Sequence, residues 1–340
     1  MLTLGIETSC DETSVAILRD EHEIVLNLIA SQVAAHQKYG GVVPEIASRQ
    51  HLEALNPLLE VARREAAIEW RDLDLIAVTH GPGLVGALLV GVASAKALSY
   101  AHRIPCQPVN HIEGHIASNF LARPDLRFPM LCLVASGGHS DLILMRAHGH
   151  YERLGRTRDD AAGEAFDKVA RALGFPMPGG PALERAAREG DARAFAFGVS
   201  SLAPSFDFSF SGLKTAGAQA IAKNPGRQND VAASFQFAAV KQLASVVERA
   251  LHEYSSSDAP IQTLGLCGGV AANGALRNGL EEVARRAEVD FVVPDFVLCT
   301  DNAAMIAAAG FHRFALRPET ERRYSLDALD FEARSMLPVA

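Results

Sequence analysis

The chain opens on Leu2-Thr3-Leu4-Gly5-Ile6, passes through Glu7-Thr8-Ser9-Cys10-Asp11-Glu12-Thr13, and leaves along Ser14-Val15-Ala16-Ile17-Leu18. This reads as strand, tight polar turn, strand. The same plan returns at Leu131-Cys132-Leu133-Val134, Ala135-Ser136-Gly137-Gly138-His139-Ser140 and Asp141-Leu142-Ile143-Leu144-Met145. Each copy is followed later by strand, glycine turn, helix. In the first half these are Leu75–Thr79, His80-Gly81-Pro82-Gly83-Leu84-Val85-Gly86 and a small-residue helix from about Ala87 to Tyr100. In the second half they are Thr263–Cys267, Gly268-Gly269-Val270-Ala271-Ala272-Asn273-Gly274 and a helix from Ala275 to Ala287. Two units in one order predict an α/β protein of duplicated lobes facing one another across a nucleotide cleft.

A plain hairpin needs only a turn former such as Asn-Gly. The hydroxyls and carboxylates from Glu7 to Thr13 therefore exceed what folding requires. Such a loop can bind phosphate through N–H groups and hydroxyls, or a metal-bridged phosphate through Asp11 and Glu12. The Gly81–Gly86 turn is neither a Walker A loop nor a G-x-G-x-x-G fingerprint, and tight helix–strand packing explains its glycines equally well.

In Val109-Asn110-His111-Ile112-Glu113-Gly114-His115-Ile116, two histidines stand four residues apart and can share one face of a helix. Neutral imidazoles so placed suit zinc or iron(II). The zinc-protease pattern H-E-x-x-H is not met. At about 100° per residue, Glu113 lies far round the helix from the His face, poorly placed as a general base. Downstream, Cys299-Thr300-Asp301-Asn302 opens an Ala-rich helix, with Thr300 or Asp301 as its expected N-cap. The sharper role for Asp301 is third metal ligand beside His111 and His115.

At 340 residues, 49% hydrophobic and 21% charged, the composition is that of an ordinary globular protein. A net charge of −8 argues against wholesale nucleic-acid coating but allows a local basic patch. Arg153, Arg156 and Arg158 form one such cluster and Arg322 with Arg323 another, each read first as solvated surface. The five cysteines are scattered without C-x-x-C, which suits a reducing cytosol. No signal peptide is read at the start, and the apolar run Leu84–Ala95 is too short to cross a bilayer. A cytoplasmic protein with no membrane association is expected.

Pro44 is placed to open a helix carrying Ile46, Leu52, Leu55 and Leu59, which Pro57 is expected to kink or restart. His36, His51 and Tyr39 read as structural or rim residues. Asp159–Val169 is dense in carboxylates and glycines and reads as a site wall. Phe206, Phe208 and Phe210 read as core.

Together these segments resemble the tRNA N6-adenosine threonylcarbamoyltransferase family, once described as O-sialoglycoprotein endopeptidases. The resemblance covers nearly the whole chain. It rests on Gly5–Thr13, Tyr39–Glu45, Gly81–Leu84, His111-x-Glu113-Gly114-His115, Ser136–His139, Asp159–Lys168, Phe210–Lys214 and Thr300-Asp301-Asn302. Its departures are Asn110 where a further His is often seen, Ala135 before the Ser-Gly-Gly turn, and an extended C-terminal tail. The resemblance implies an actin/hexokinase/Hsp70-like (ASKHA) fold. Lobe I would span 1–108, completed by a helix at 302–325; lobe II would span 109–301 and carry the metal and adenylate site; 326–340 would be a tail. It implies one metal on His111, His115 and Asp301, usually iron(II), with zinc as the alternative. Val134, Ala135, Ser136, Gly137, Gly138, Asp167, Gly180 and Asn273 would bind the adenylate, while Asp11 and Glu12 would line the reaction site. The implied reaction passes threonylcarbamoyl from threonylcarbamoyl-AMP to the adenosine 3′ of the anticodon, releasing AMP. The implied partners are tRNA, a paralogous subunit of the same fold, a small ATPase and the enzyme that makes the adenylate.

Three other classes compete. A metallopeptidase fails on the Glu113 offset. A kinase on the same fold has no use for His111, His115 and Asp301. A non-catalytic scaffold would not need all three presumed ligands.

Overall fold

Two five-stranded sheets of one plan account for the repeated sequence pattern. The computed structural model describes residues 1–339. In chain order come β1 (Leu2–Glu7), β2 (Glu12–Arg19), β3 (Glu23–Ser31), α1 (Val33–Gln37) and α2 (Pro44–Glu65). Then follow β4 (Leu75–Gly81), α3 (Val85–His102), β5 (Cys106–Asn110) and α4 (His111–Ala122). The next group is β6 (Met130–Ala135), β7 (Ser140–Ala147), β8 (His150–Arg156), α5 (Ala162–Ala172) and α6 (Gly179–Ala187). After it come α7 (Ser211–Lys223), α8 (Gln228–Tyr254), β9 (Thr263–Cys267), α9 (Gly274–Arg286) and β10 (Asp290–Val292). The helices α10 (Phe296–Cys299) and α11 (Ala303–Ala315) close the series.

The first sheet runs β3-β2-β1-β4-β5 and the second, read the same way, β8-β7-β6-β9-β10. In each, the opening strand pairs antiparallel with the next, Leu2↔Arg19 through Glu7↔Ser14 and Met130↔Met145 through Ala135↔Ser140. It also pairs parallel with the strand that follows later, β1 with β4 and β6 with β9. Every residue of β6 is buried, which explains its unbroken apolar run.

The chain divides into two compact units. The first comprises Met1–Asp125, His148–His150 and Pro294–Ala340; the second comprises Leu126–Ala147 and Tyr151–Val293. The division therefore falls after Asp125, not between 108 and 109 as expected, and the stretch from Pro294 to Asp301 also lies with the first unit. The reason is local continuity. Strand β5 ends at Asn110 and α4 begins at the next residue. Helix α4 in turn packs Gly114 against Met305 and Ile306 of α11. Helix α11 lies so close to the sheet that a Cβ on Gly5 would come 2.2 Å from the Ala303 carbonyl oxygen. Only glycine fits there, and the Ala-rich sequence of α11 permits the approach.

Pro44 does open α2, but the helix continues through Pro57 to Glu65 without interruption. Glu53 and Pro57 both lie on the exposed side, where water can satisfy the carbonyl that proline leaves unpaired. Helix α3 runs past the apolar stretch to His102 and by length and composition alone would pass as a membrane span. Six of its residues are buried in the first unit. The tail beyond α11 is bound to that same unit. Lys96 Nζ donates to the Phe331 carbonyl, Arg334 N–H donates to the His80 carbonyl at 2.7 Å, and Gly83 N–H donates to that of Ser335.

Candidate functional site

His111 is the first residue of α4 and His115 lies one turn on, so both imidazoles project from one face. Asn110 starts the helix: its side-chain oxygen accepts from Ile112 N–H at 2.8 Å. Its amide nitrogen donates to the carbonyls of Leu337 and Pro338. The departure from the family's usual His is thus a helix cap that also anchors the tail.

Asp301 reaches the same point from the entry to α11. Its Oδ1 lies 3.5 Å from His111 Nε2 and 3.2 Å from His115 Nε2. One ligand atom from each of the three residues falls within 4.8 Å of the others. Two donors about 2.1 Å from a shared tetrahedral ion stand roughly 3.4 Å apart, so these spacings fit one cation. The cap of α11 is Asn302, whose side chain accepts from Met305 N–H at 3.1 Å, and not Thr300 or Asp301 as expected. Asp301 is thereby released from helix capping. His115 is fully buried, and apart from the Asp301 carboxylate beside Nε2 neither ring nitrogen is satisfied by a hydrogen bond. An unsatisfied buried imidazole is costly. A cation at Nε2 would remove half of that cost.

The sequence reading missed Glu7. It sits fully buried at the end of β1, where Thr79 Oγ1 donates to its Oε2 at 2.7 Å and His111 Nδ1 lies 3.0 Å from the same oxygen. This carboxylate fixes which His111 nitrogen carries hydrogen and leaves Nε2 facing Asp301, the usual outer support of a metal-bound histidine. Burial works to raise the Glu7 pKa, but His111 outweighs it and holds the group below the ordinary carboxylate value. Burial likewise opposes a proton on His111, yet Asp301 and Glu7 push its pKa up to about 9. The pocket calls for positive charge. A charged side chain ending a run of apolar strand residues was the available signal.

Near this group, burial and then the charges of Asp11 and Asp301 raise Glu12 to about 9, while Ser31 Oγ donates to it at 2.9 Å. His51 is buried and bonds Thr13 Oγ1 and the Cys10 carbonyl, and His36 is buried against Gln32, so both are structural. Tyr39 is exposed.

In the second unit, β6 ends on buried Val134 and Ala135, and the turn after it carries buried Ser136, then exposed Gly137 and Gly138. Helix α5 begins against it: Gly163 N–H donates to the Ser136 carbonyl, and a Cβ on Gly163 would come 2.6 Å from that oxygen. From α5, Asp167 Oδ1 accepts the N–H groups of Gly179 at 2.9 Å and Gly180 at 3.2 Å, tying down the start of α6. Asn273 caps α9 through Leu276 N–H and donates to Gln236 Oε1. Gly137, Gly138 and Gly180 have nothing within 4 Å of where a Cβ would stand, and none has a left-handed φ. Neither packing nor backbone conformation requires glycine there.

Phe206, Phe208 and Phe210 are buried, as expected. Arg158 pairs with Asp207, and Arg322 donates to backbone carbonyls of Ala315 and Arg317.

Fold and site together define an ASKHA-type α/β protein that bears a His₂-carboxylate cluster in one unit and open glycine turns in the other. Solved structures agree on the fold. HypF from T. kodakarensis superposes with a TM-score of 0.63 at 15% identity, over 95% of this chain and 49% of that one. Component A of the (R)-2-hydroxyglutaryl-CoA dehydratase of Acidaminococcus fermentans gives 0.53 at 14% identity, over 92% and 98%. The family model for tRNA N6-adenosine threonylcarbamoyltransferase matches residues 23–308. A protein of that name from Desulfitobacterium hafniense is 53% identical over 319 residues, 92% of each chain. Another, from Caldicellulosiruptor saccharolyticus, is 48% identical over 97% of this chain and 98% of its own. The chain belongs to the tRNA N6-adenosine threonylcarbamoyltransferase family.

Proposed function

We propose that this protein transfers the threonylcarbamoyl group of threonylcarbamoyl-AMP to N6 of the adenosine 3′ of the anticodon, in tRNAs that read codons beginning with A. The observation that carries this is family membership along nearly the whole chain. The adenosine nitrogen attacks the carbamoyl carbon, the bond from that carbon to the phosphate oxygen breaks, AMP leaves with the electron pair, and N6 gives up a proton.

The roles proposed for each unit are as follows. Val134, Ala135, Ser136, Gly137, Gly138, Gly180 and Asn273 take the adenylate, with open space at the glycines for its backbone-facing edge. Asp167 accepts from a ribose hydroxyl. His111, His115 and Asp301 would hold one divalent ion, iron(II) by family resemblance, with zinc as the alternative. When bound, that ion supplies Lewis-acid polarisation of an oxygen and a fixed anchor for substrate. Glu7 keeps His111 turned toward it. In the metal-free protein burial and the charges of Asp11 and Asp301 raise Glu12 to about 9, and Asp11 is the proposed acceptor of the N6 proton. The remaining barrier is lowered by alignment, which in favourable cases is worth about 7–11 kcal/mol.

The acidic chain is proposed to act in the cytoplasm with a paralogous subunit of the same fold and a small ATPase. Val85, Leu89 and Tyr100 are exposed on α3 and support that helix as the partner face. The test is to incubate the protein and its partners with preformed threonylcarbamoyl-AMP and unmodified tRNA, digest the tRNA, and weigh its nucleosides. Threonylcarbamoyladenosine from the anticodon loop with one equivalent of AMP is expected. An unchanged nucleoside profile, with partners proven active on another catalytic subunit, would refute the assignment.

A further inference from the structure

Glu113 lies on α4 between His111 and His115, is fully buried, and faces away from the imidazoles. Its carboxylate is taken by Arg313 of α11: Nε donates to one oxygen and Nη2 to the other, a two-pronged ion pair. Arg313 itself remains about one-third exposed, at 34%. The three candidate ligands stand on two pieces of backbone only, the start of α4 and the entry to α11. The ion pair joins those two pieces.

The helices also pack through apolar residues, most closely at Gly114. A Cβ on Gly114 would come 2.6 Å from Ile306 Cδ1 and 3.3 Å from Met305 Cγ, so α4 rests directly on the first turn of α11. Ile306 and Arg313 are separated by about 10 Å along the helix at 1.5 Å per residue. Ala117 and Leu121 pack on the same face of α11 and Phe120 meets His312, contacts that hold the helices together without fixing their rotation. The two-pronged ion pair adds a directional one. The Gly114 contact and the ion pair originate from adjacent residues lying between the two histidines. A metal site tolerates only about 0.5 Å of ligand displacement, so the rotation of α4 on α11 decides whether His111 and His115 meet Asp301.

We propose that Glu113 and Arg313 are positioning residues of the metal centre, a bidentate clamp that sets the angle between the helices bearing its ligands. The proposal rests on the reading of His111, His115 and Asp301 as ligands. Net stabilisation is a poor reason for the pair, because a buried ion pair usually does no better than apolar residues of the same volume. A fork-to-carboxylate contact does fix orientation in a way that apolar packing does not.

The test compares wild type, Asp301→Ala, Glu113→Gln and the double variant Glu113→Leu with Arg313→Met. Zn²⁺ affinity is measured by competition with a chromophoric chelator, the visible spectrum is recorded with Co²⁺, and Tm is followed for each. The double variant removes both charges, so it leaves no buried ion unpaired and folds even where Glu113→Gln does not. The clamp predicts a double variant with Tm within a few degrees of wild type, Zn²⁺ binding about 10–100-fold weaker, and a Co²⁺ band altered in position and intensity. Wild-type Zn²⁺ affinity and Co²⁺ spectrum in the double variant, whatever its Tm, would overturn it. Wild type that binds Zn²⁺ no better than Asp301→Ala would remove the metal reading and the clamp with it.

Discussion

At the scale of single residues, His111 is held between two carboxylates, Glu7 at Nδ1 and Asp301 near Nε2. In metal-free protein this raises its pKa to about 9, above the ~6.5 of an unfolded chain. The stability gained is therefore complete below about pH 6.5 and is lost as pH rises through 9, at about 1.4 kcal/mol per pH unit for one proton. Melting in the presence of a chelator should show Tm falling between pH 7 and 9.5, and saturating Zn²⁺ should abolish that fall, because the ion takes the proton's place. A chelated protein with a flat profile would mean that His111 is not gripped as described. The neighbouring carboxylates differ in the same physical terms. With Asp11 as the proposed proton acceptor, Asp11→Asn should slow single-turnover transfer about 10²–10⁴-fold. Glu12→Gln, which mimics the neutral acid, should cost far less, and equal losses would withdraw the division of roles. The His pair and Asp301 were legible from residue type and from resemblance. Glu7 was not, because its partner lies 104 residues away in the chain. Asn302 was passed over as the cap because Thr, Asp and Asn all cap well, and only backbone geometry chooses among neighbours.

At the scale of elements, the strand–turn–strand and strand–turn–helix units were readable because buried central strands leave unbroken apolar runs and their turns concentrate glycine. Less readable was what each glycine does. Gly163 keeps α5 against the Ser136 carbonyl, whereas a Cβ on Gly138 would meet nothing within 4 Å. The two should respond differently to the same change. Gly163→Ala forces the turn and helix apart and should lower Tm by several degrees. Gly138→Ala should leave Tm unchanged while weakening AMP binding about tenfold in calorimetry. If Gly138→Ala binds AMP like wild type, the open glycine is not a ligand seat. The boundary between units was misplaced for a related reason. An N-terminal half that ends on a strand looks complete, and nothing in the residues near 108 announces that the next helix packs on one beginning at Ala303.

At the scale of the whole molecule, one sheet plan occurs twice. The first unit gathers His111, His115 and Asp301 beneath the carboxylates of the opening turn, and the second presents the glycine turns. Sequence pattern alone reached the duplication, since period and turn chemistry are local properties. It stopped short of the metal group, because residues from α4 and the entry to α11 meet only after α11 has seated on β1 through Gly5 and Ala303. Resemblance to a known family supplied that step. The central claim is that this protein carries out threonylcarbamoyl transfer and that the Asp301 carboxylate is required for it. It is tested most directly by supplying wild type and Asp301→Ala with labelled threonine, bicarbonate, ATP, unmodified tRNA and the partner enzymes, and counting label on the tRNA. Label on tRNA with wild type, and its loss in an Asp301→Ala protein that still melts like wild type, is the predicted result. Equal labelling by both proteins, or none by either in a system that works with another catalytic subunit, would contradict it.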